Sequence, residues 1–370
     1  MTRPIDIGEI VALLTARIGE LAATLAPGGH VAGDEYKALN PVRADRHIGS
    51  FSVCVRGAKA GTWKDFADSD SGGDALDLVA YIETGGDKRQ AIKWARAWLG
   101  IDDADPAELR RRKERAVAAK KEADAAAERQ AAKRRGWAQR LYLSSIEDIR
   151  GTPVERYLAG RGITFARLGH VPRVLRYAPR CWHSESAQEW PAMVAAIVSL
   201  KGEMISVHRT YLEVNRDGSV TKAPLGEEAK KTLGLFAGGA IRLWRGYVPG
   251  KDGKLKALPR LKDLKPGASV RVGESLEDCL SVACVKPELP ILGAVSGGNI
   301  AGLELPEAVT NIAILCQNDA AGSTAARDLD RAIAAHLRQG RSVTTPRPPA
   351  DYKDWNDLLQ GKRRRGEGVA

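Results

Sequence analysis

Three acidic clusters stand in the last third of the chain, and each follows or abuts a short apolar run. The clusters are residues 273–278 (GESLED), 317–322 (QNDAAG) and 353–357 (KDWND). Short apolar runs bounded by turn signals are typical of buried strands, and in open α/β sheets functional groups collect at the carboxyl ends of strands. Carboxylates at that edge would bind magnesium, which prefers oxygen ligands and bridges them to phosphates. The clusters therefore predict a divalent-metal site that handles phosphates, provided that they meet in space.

Strand and helix patterns alternate from residue 269 to residue 362, which predicts an α/β fold with a parallel, Rossmann-like sheet. An aspartate at the start of a helix is often only an N-cap. The metal-site prediction therefore depends on all three clusters together and not on any one of them. The predicted strands cover 269–272, 291–295, 311–316 and 342–345, and the predicted helices cover 276–286, 322–337 and 354–360.

The charge balance favours an anionic partner. The 370 residues include 57 Lys and Arg against 46 Asp and Glu, which gives a formal net charge of +11. Nucleic acid is the leading candidate for such a partner, and solubility alone is the alternative explanation of the charge.

The cysteine and hydropathy patterns exclude several classes of protein. The five cysteines form no Cys-x-x-Cys pair and are odd in number, which argues against a disulfide framework and a four-cysteine zinc site. The sequence has no apolar stretch of about 18 residues and its N-terminus lacks the apolar core of a signal peptide. We therefore expect a cytoplasmic protein with reduced thiols and no membrane contact.

Changes in composition along the chain predict a multidomain α+β organisation. A small mixed domain covers 1–101, with one amphipathic helix over 1–24, short strands near 51–55 and 61–66, and a helix over 88–99 that ends at Gly100. A charged helical segment, either a solvated linker or a basic strut that touches nucleic acid, follows it. The predicted segments are 1–101, the helical linker 102–140, a basic mixed domain 141–265, the α/β domain 266–362 and a basic tail 363–370.

The region 269–362 resembles the Toprim domain, which is shared by DnaG-type bacterial primases, type IA and type II topoisomerases and some nucleases. Glu274 matches the glutamate after the first strand, Asp278 the acidic position of the primase form, and Asp319 the second Asp of the Asp-x-Asp motif. Residues 353–359 (KDWNDLL) are similar to the closing motif of phage- and plasmid-type primases. The resemblance implies Glu274, Asp319 and Asp354 as catalytic residues and Mg²⁺ or Mn²⁺ as the cofactor. The implied metal ligands are Glu274, Asp278, Gln317, Asp319, Asp354 and Asp357.

Gln317 departs from the Toprim pattern, because it stands where the family has the first Asp of Asp-x-Asp. Glutamine offers a neutral carbonyl oxygen, which is a weaker magnesium ligand than a carboxylate. Three functions therefore stay open: a primase, a Toprim-type metal-dependent nuclease, and a catalytically impaired single-stranded DNA-binding replication accessory protein.

The N-terminal domain resembles the zinc-binding, zinc-ribbon-like domain of the same primases without its zinc ligands. The family would place Cys and His near 40, 43 and 66–70, where this chain has Asn40, Arg43, Phe66 and Asp70. His47 and Cys54 alone would not complete a tetrahedral site, so we predict no zinc. Basic side chains with the aromatic residues Phe51 and Trp63 would contact single-stranded template, unless these two rings are simply core. The basic candidates are Arg43, Arg46 and Lys64.

The middle of the chain resembles the primase catalytic core upstream of Toprim. Residues 153–162 (PVERYLAGRG) are similar to its start, and the segment that contains Arg209 is similar to its basic half. The implied activity is the template-directed synthesis of short RNA primers from NTPs on single-stranded DNA, in a phage, plasmid or mobile-element setting. The chain has no Gly-x-x-x-x-Gly-Lys-Ser/Thr phosphate loop, so a replicative helicase would be a separate partner. The predicted nucleic-acid and nucleotide contacts are Arg161, Arg209, Lys222, Lys230, Lys231, Arg43, Lys64 and Trp63.

Overall fold

The computed structural model describes residues 6–43, 48–66, 72–101, 106–250, 254–320 and 322–364, with the side chains of 106–110, 112, 113 and 116 excepted. The chain divides into two compact units, residues 1–130 and residues 131–370. In the described residues, no helix combines the length and the apolar character needed to cross a membrane.

The first unit is a five-stranded antiparallel sheet with helices packed on it. The strands follow one another across the sheet in chain order, and their apolar side chains join those of the helices in one core. The single helix predicted over 1–24 is wrong, because the chain turns at Arg17 and forms two helices. The elements are α1 (Ile7–Ala16), α2 (Ile18–Leu25), β1 (His30–Ala32), β2 (Glu35–Ala38), β3 (Phe51–Cys54), β4 (Trp63–Asp65), β5 (Gly72–Gly73), α3 (Ala75–Glu83) and α4 (Lys88–Leu99).

Capping residues define the ends of the helices in this unit. Asp74 accepts hydrogen bonds from the backbone N–H groups of Leu76 and Asp77, both at 2.9 Å, which starts α3. Gly100 ends α4 with a left-handed φ of 63°, a conformation that glycine adopts without steric cost. The predicted helix over 88–99 and its end at Gly100 are confirmed.

A long helix, α5 (Pro106–Ser144), carries the charged segment. Its described side chains are mostly exposed before Ala138, which is fully buried. Ala138 packs in a cluster with Ala178, Val194 and Val207 of the second unit. The helix predicted for the charged segment is confirmed. It extends to Ser144, and its last turns contribute Ala138 to a buried cluster.

The second unit begins with an antiparallel sheet in the order β10-β8-β7-β6, and β9 also pairs with β8. Lys230 lies opposite Thr210, and Lys222 lies opposite Leu212, so β9 and β10 pair with neighbouring parts of β8. This register brings Lys222 and Lys230 close together. The elements are α6 (Pro153–Gly160), α7 (Phe165–Leu168), β6 (Leu175–His183), β7 (Gln188–Val198), β8 (Met204–Val214), β9 (Val220–Lys222) and β10 (Lys230–Leu233).

A second sheet has the order β11-β15-β14-β16-β17, in which the last four strands are parallel and β11 is antiparallel to β15. All four strands predicted for the α/β region are confirmed. Between β11 and β14 the chain forms a two-stranded antiparallel hairpin of β12 and β13. The elements are β11 (Ile241–Trp244), β12 (Tyr247–Pro249), β13 (Leu255–Ala257), β14 (Ala268–Gly273), α8 (Leu276–Val285), β15 (Ile291–Gly293), α9 (Gly297–Ile300), β16 (Val309–Leu315), α10 (Thr324–Arg338), β17 (Ser342–Thr344) and α11 (Trp355–Gln360).

Candidate active site

The site lies where β14 and β16 end side by side. Gly273, the last residue of β14, pairs with Leu315, the last residue of β16, so the segments after both strands leave the sheet at the same edge. A cavity of about 260 Å³ opens there. Glu274, Gln317 and Asp319 line it together with Gly297 and Arg347. The first two acidic clusters therefore meet, which is the condition that the predicted metal site requires.

Glu274 is the carboxylate that comes directly after β14. Solvent reaches its side chain, yet the cavity walls surround it. This partial desolvation raises the pKa of Glu274, and the negative charges of Asp319 and Asp328 raise it further. The backbone N–H of Gly297 donates a hydrogen bond to the carboxylate and opposes the shift. Glu274 thus lies among like charges in a recess, which is a suitable environment for a general base or a cation ligand.

Asp278 lies one helical turn beyond Glu274, on α8, and is buried. It accepts a hydrogen bond from Gln317 Nε2 at 2.7 Å and one from the backbone N–H of Asn356 at 3.0 Å. Burial and the nearby charge of Asp354 raise the pKa of Asp278 to about 6. Gln317 therefore presents an amide donor to Asp278 at the position where the family pattern has a carboxylate.

The third acidic cluster reaches the site through α11. Asp354 is the N-cap of this helix and accepts a hydrogen bond from the backbone N–H of Asp357 at 2.7 Å, which places Asp357 in the first turn. Asn356 is buried and donates from its amide to the Arg161 carbonyl at 2.8 Å and to Ser281 Oγ at 2.9 Å. Asn356, for which the sequence analysis predicts no role, thus joins α11 to α8 and to the end of α6.

The predicted metal ligands are neighbours but do not form a tight cluster. Across the part of the chain that the structure describes, the single group of three possible ligand atoms within 4.8 Å of one another is His183, Glu185 and Glu228, away from this edge. At the Toprim-like edge, Glu274 and Asp319 border the cavity, and Asp278 and Asp354 lie beside it. The donor atoms at this edge are oxygens, which fit Mg²⁺ or Mn²⁺.

Glu277 connects this edge to the preceding sheet. It is fully buried and accepts hydrogen bonds from Tyr157 Oη at 2.6 Å and Lys230 Nζ at 2.8 Å. Burial opposes its ionisation, but the Lys230 ammonium and these hydrogen bonds outweigh that effect and lower the pKa of Glu277. Glu277 and Tyr157 are further site residues that the sequence analysis does not predict, because their pairing spans 120 positions of the chain.

Lys222 extends the positive side of the same region. Partial desolvation lowers its pKa, and the Lys230 ammonium lowers it further. The negative charges of Glu277 and Asp354 raise the pKa of Lys222, whereas the positive charge of Arg161 lowers it. Lys222, Lys230 and Arg161 therefore lie near enough to the acidic edge to act on one another electrostatically.

Lys231 and Arg209 lie on the other face of the sheet. Successive side chains of a strand point to opposite faces, so Lys231 points away from the face of Lys230 and shares its own face with its register partner Arg209. Lys231 pairs with Glu185 and with Glu228. Arg209 donates to the Trp182 and Thr232 carbonyls at 3.3 and 3.2 Å. The predicted cations are thus divided between two faces.

A buried polar cluster stands in the first unit where the resemblance would place zinc ligands. Asp65 is fully buried and accepts hydrogen bonds from Asn40 Nδ2 at 2.8 Å and from Arg43 at 3.1 Å. Arg46, His47 and Asp70, which the sequence analysis considers, lie outside the described residues. The cluster joins the end of β4 to the segment after β2 by hydrogen bonds between side chains.

The aromatic prediction for the first unit needs correction. Phe51 is fully buried and Trp63 is 6% exposed, and their ring centroids lie 5.8 Å apart. Both rings belong to the core, so in this structure they are not available to stack on bases. Lys64 and Phe66 are exposed, and both border a surface recess of about 470 Å³.

Comparison with known proteins finds two domain families and several solved structures. A model described as a domain of unknown function, DUF7146, matches residues 132–243. No protein with a curated description matches the chain. Among solved structures, the Aquifex aeolicus primase (zinc-binding and RNA polymerase domains) aligns at 15% identity over 95% of this chain and 82% of its own, with a TM-score of 0.36.

Two further structures align over shorter parts. The primase fragment of the bacteriophage T7 primase-helicase protein aligns at 17% identity over 59% of this chain and 76% of its own, with a TM-score of 0.33. The E. coli primase catalytic core aligns at 16% identity over 64% of this chain and 77% of its own, with a TM-score of 0.36. These overall superpositions are loose.

The second family model matches the region that holds the site. It is described as a Toprim domain and matches residues 269–364. That range contains the four parallel strands, Glu274 and Asp319 at their ends, and the closing motif on α11. The chain therefore carries a Toprim domain over residues 269–364.

Proposed function

We propose that this protein is a primase-like nucleotidyltransferase that synthesises short RNA primers from NTPs on a single-stranded DNA template. One observation carries the proposal: the acidic edge of the Toprim sheet lies beside the basic group of Lys222, Lys230 and Arg161 from the preceding domain. Joining nucleotides requires carboxylates that hold cations and positive side chains that hold phosphates, and this arrangement supplies both within one unit.

Glu274 and Asp319 are the residues that would hold a divalent cation, with Asp278 and Asp354 beside them. Partial desolvation and the like charges of Asp319 and Asp328 raise the pKa of Glu274, and a cation would relieve the repulsion between these charges, so the site fits Mg²⁺ or Mn²⁺. When bound, such an ion polarises a phosphoryl group and lowers the pKa of an attacking hydroxyl.

The protein groups position the reactants and accept the proton. Glu274, held by the Gly297 N–H, is placed to orient the primer hydroxyl and to accept its proton. Lys230 is oriented by Glu277 at 2.8 Å and, with Lys222, would bind nucleotide or template phosphates. The hydroxyl oxygen then attacks the α-phosphorus of the incoming NTP, and pyrophosphate leaves.

A second candidate function follows from Gln317. Because its side chain donates to Asp278, the site lacks one carboxylate of the family pattern, and the protein would then bind single-stranded DNA without turnover. A Toprim-type nuclease would use the same residues with water as the nucleophile. These alternatives predict different products from the same purified protein.

The test is a primer-synthesis assay with the full chain, labelled NTPs, single-stranded template and Mg²⁺. Glu274→Gln removes the charge at the site, and Glu307→Gln makes the same change at an exposed position before β16. We expect short products from the wild type and from Glu307→Gln, and none from Glu274→Gln. Binding without any product would support the impaired protein, whereas nicking of supercoiled plasmid would support the nuclease.

A further inference from the structure

Asp328 is an acidic residue of α10 that lies against the candidate site. Helix α10 begins after Ser323, whose hydroxyl caps the backbone N–H of Ala326 at 3.2 Å, and Asp328 is in its second turn. The side chain of Asp328 is 15% exposed. Ala325, Ala326 and Leu329 on the same helix line the cavity that holds Glu274. The Toprim resemblance assigns no role to this position.

Two glycines at the start of α9 permit Asp328 to approach Glu274. A Cβ atom at Gly297 would lie 3.4 Å from Asp328 Oδ2 and 3.4 Å from Glu274 Oε2, so both carboxylates border one point. A Cβ atom at Gly298 would lie 3.6 Å from the same Asp328 oxygen. The charge of Asp328 acts on Glu274, as that of Asp319 does. Glu274 and Asp328 therefore approach each other beside Gly297, and Asp319 lies within electrostatic reach of Glu274 on the cavity side.

We propose that Asp328 is a ligand of the divalent cation together with Glu274 and Asp319, and that it replaces the carboxylate lost at Gln317. The inference rests on the proposed metal-dependent function. Arg331 pairs with Asp328 and is 59% exposed, so it supplies a counter-charge from the solvent side that a cation would displace. Two or three carboxylates bind a divalent cation more tightly than one does, because ligand charge adds to affinity.

The position of Gln317 explains why a carboxylate on α10 would serve in its place. Gln317 Nε2 lies 2.7 Å from Asp278 Oδ2, and Asp278 is buried. An aspartate at 317 would place a second negative charge close to Asp278, which already has a raised pKa because of burial and Asp354. Asp328 avoids this repulsion because it approaches Glu274 from α10.

The test measures Mn²⁺ binding directly, by the loss of the free-Mn²⁺ electron paramagnetic resonance signal on titration of the full chain. The variants are Asp328→Asn, Glu274→Gln and the matched control Asp330→Asn, which makes the same change at an exposed position of the same helix. We expect Asp328→Asn and Glu274→Gln each to weaken Mn²⁺ binding by about tenfold or more, and Asp330→Asn to bind like the wild type. Melting temperatures without metal establish that each variant is folded.

A charge swap distinguishes a ligand from a structural residue. The double variant Gln317→Asp/Asp328→Asn restores the family pattern, and we expect it to recover Mn²⁺ affinity relative to Asp328→Asn. If Asp328→Asn binds Mn²⁺ as tightly as the wild type but Glu274→Gln binds it more weakly, Asp328 is not a ligand and the proposed metal site is retained. If the wild type shows no saturable Mn²⁺ binding that depends on Glu274, both the inference and the metal-dependent function are wrong.

Discussion

Gln317 donates a hydrogen bond from its side-chain amide to Asp278 at 2.7 Å, across 39 positions of the sequence. This bond connects the segment after β16 to α8, and the backbone N–H of Asn356 on α11 donates to the other oxygen of Asp278. Asp278 is thus the point at which all three acidic segments meet. Its two donors stabilise the carboxylate, but burial and Asp354 still raise its pKa to about 6.

The raised pKa of Asp278 predicts a pH-dependent cost in stability. Between its ordinary pKa of 3.8 and about 6, the folded state retains a proton that the unfolded state has lost, so stability falls as pH rises through this window. At ~1.36 kcal/mol per pKa unit, the cost above pH 6 is about 3 kcal/mol. We expect the free energy of unfolding of Asp278→Asn, minus that of the wild type, to grow from about pH 4 to about pH 6.

Urea unfolding of both proteins without divalent cations measures this difference. Burial lowers the pKa of His208 to about 4, which gives the opposite pH dependence, but His208 is present in both proteins and its contribution cancels. A difference in the free energy of unfolding that stays constant from pH 4 to pH 7 would contradict the raised pKa of Asp278.

The Lys230–Glu277 pair predicts a large effect of removing one partner. Lys230→Met leaves the Glu277 carboxylate buried with Tyr157 and Ser275 as its remaining side-chain donors, which we expect to cost about 3–5 kcal/mol in urea unfolding. Lys230→Met/Glu277→Gln should recover part of that loss, because no unpaired charge remains. Lys231→Met is the neighbouring control, and because its partners are half-exposed we expect a much smaller loss than for Lys230→Met. Equal losses for the two single variants would contradict this account.

Lys222 is predicted to contribute a phosphate contact. Lys222→Met should weaken single-stranded DNA binding for every template sequence and should reduce the slope of log affinity against log salt by about 0.7. Lys256→Met, at an exposed position of the β12–β13 hairpin, is the matched control. Fluorescence anisotropy at several salt concentrations provides the measurement, and an unchanged slope for Lys222→Met would remove this residue from the nucleic-acid contacts.

The polar cluster of the first unit predicts stability without zinc. Asn40 and Arg43 contact Asp65, which is fully buried. Arg43→Met should therefore destabilise the protein by about 1–3 kcal/mol, because the buried Asp65 carboxylate loses its hydrogen bond and ion pair with Arg43. A strong chelator should leave the melting temperature of the wild type unchanged. A clear fall in melting temperature on chelation, restored by Zn²⁺, would contradict the prediction.

The sequence was sufficient to predict the sheet edge that holds Glu274 and Asp319. Apolar runs mark β14 and β16, and the carboxyl ends of parallel strands share one edge, so the positions of these residues follow from local pattern and general topology. The end of α4 at Gly100 and the parallel strand set are also predictable from local pattern.

Other features depend on register or on distant contacts. Strand alternation places Lys230 and Lys231 on opposite faces of the sheet. Which face each of them occupies is known only from the pairing of β10 with β8. The approach of Asp328 to Glu274 depends on two glycines at the start of α9, and no local sequence pattern marks it. The sequence alone allows Trp63 to be either a core residue or a residue that stacks on nucleic-acid bases. Its packing against Phe51 and Tyr81 shows that it belongs to the core.

The Toprim edge and the basic group are proposed to copy a template together. The most direct measurement uses two single-stranded templates that differ only in a block of dT or dC, each supplied with one labelled NTP at a time. We expect ATP incorporation opposite dT and GTP incorporation opposite dC, and neither after Glu274→Gln. Incorporation that ignores the template, or survives Glu274→Gln, would contradict this proposal.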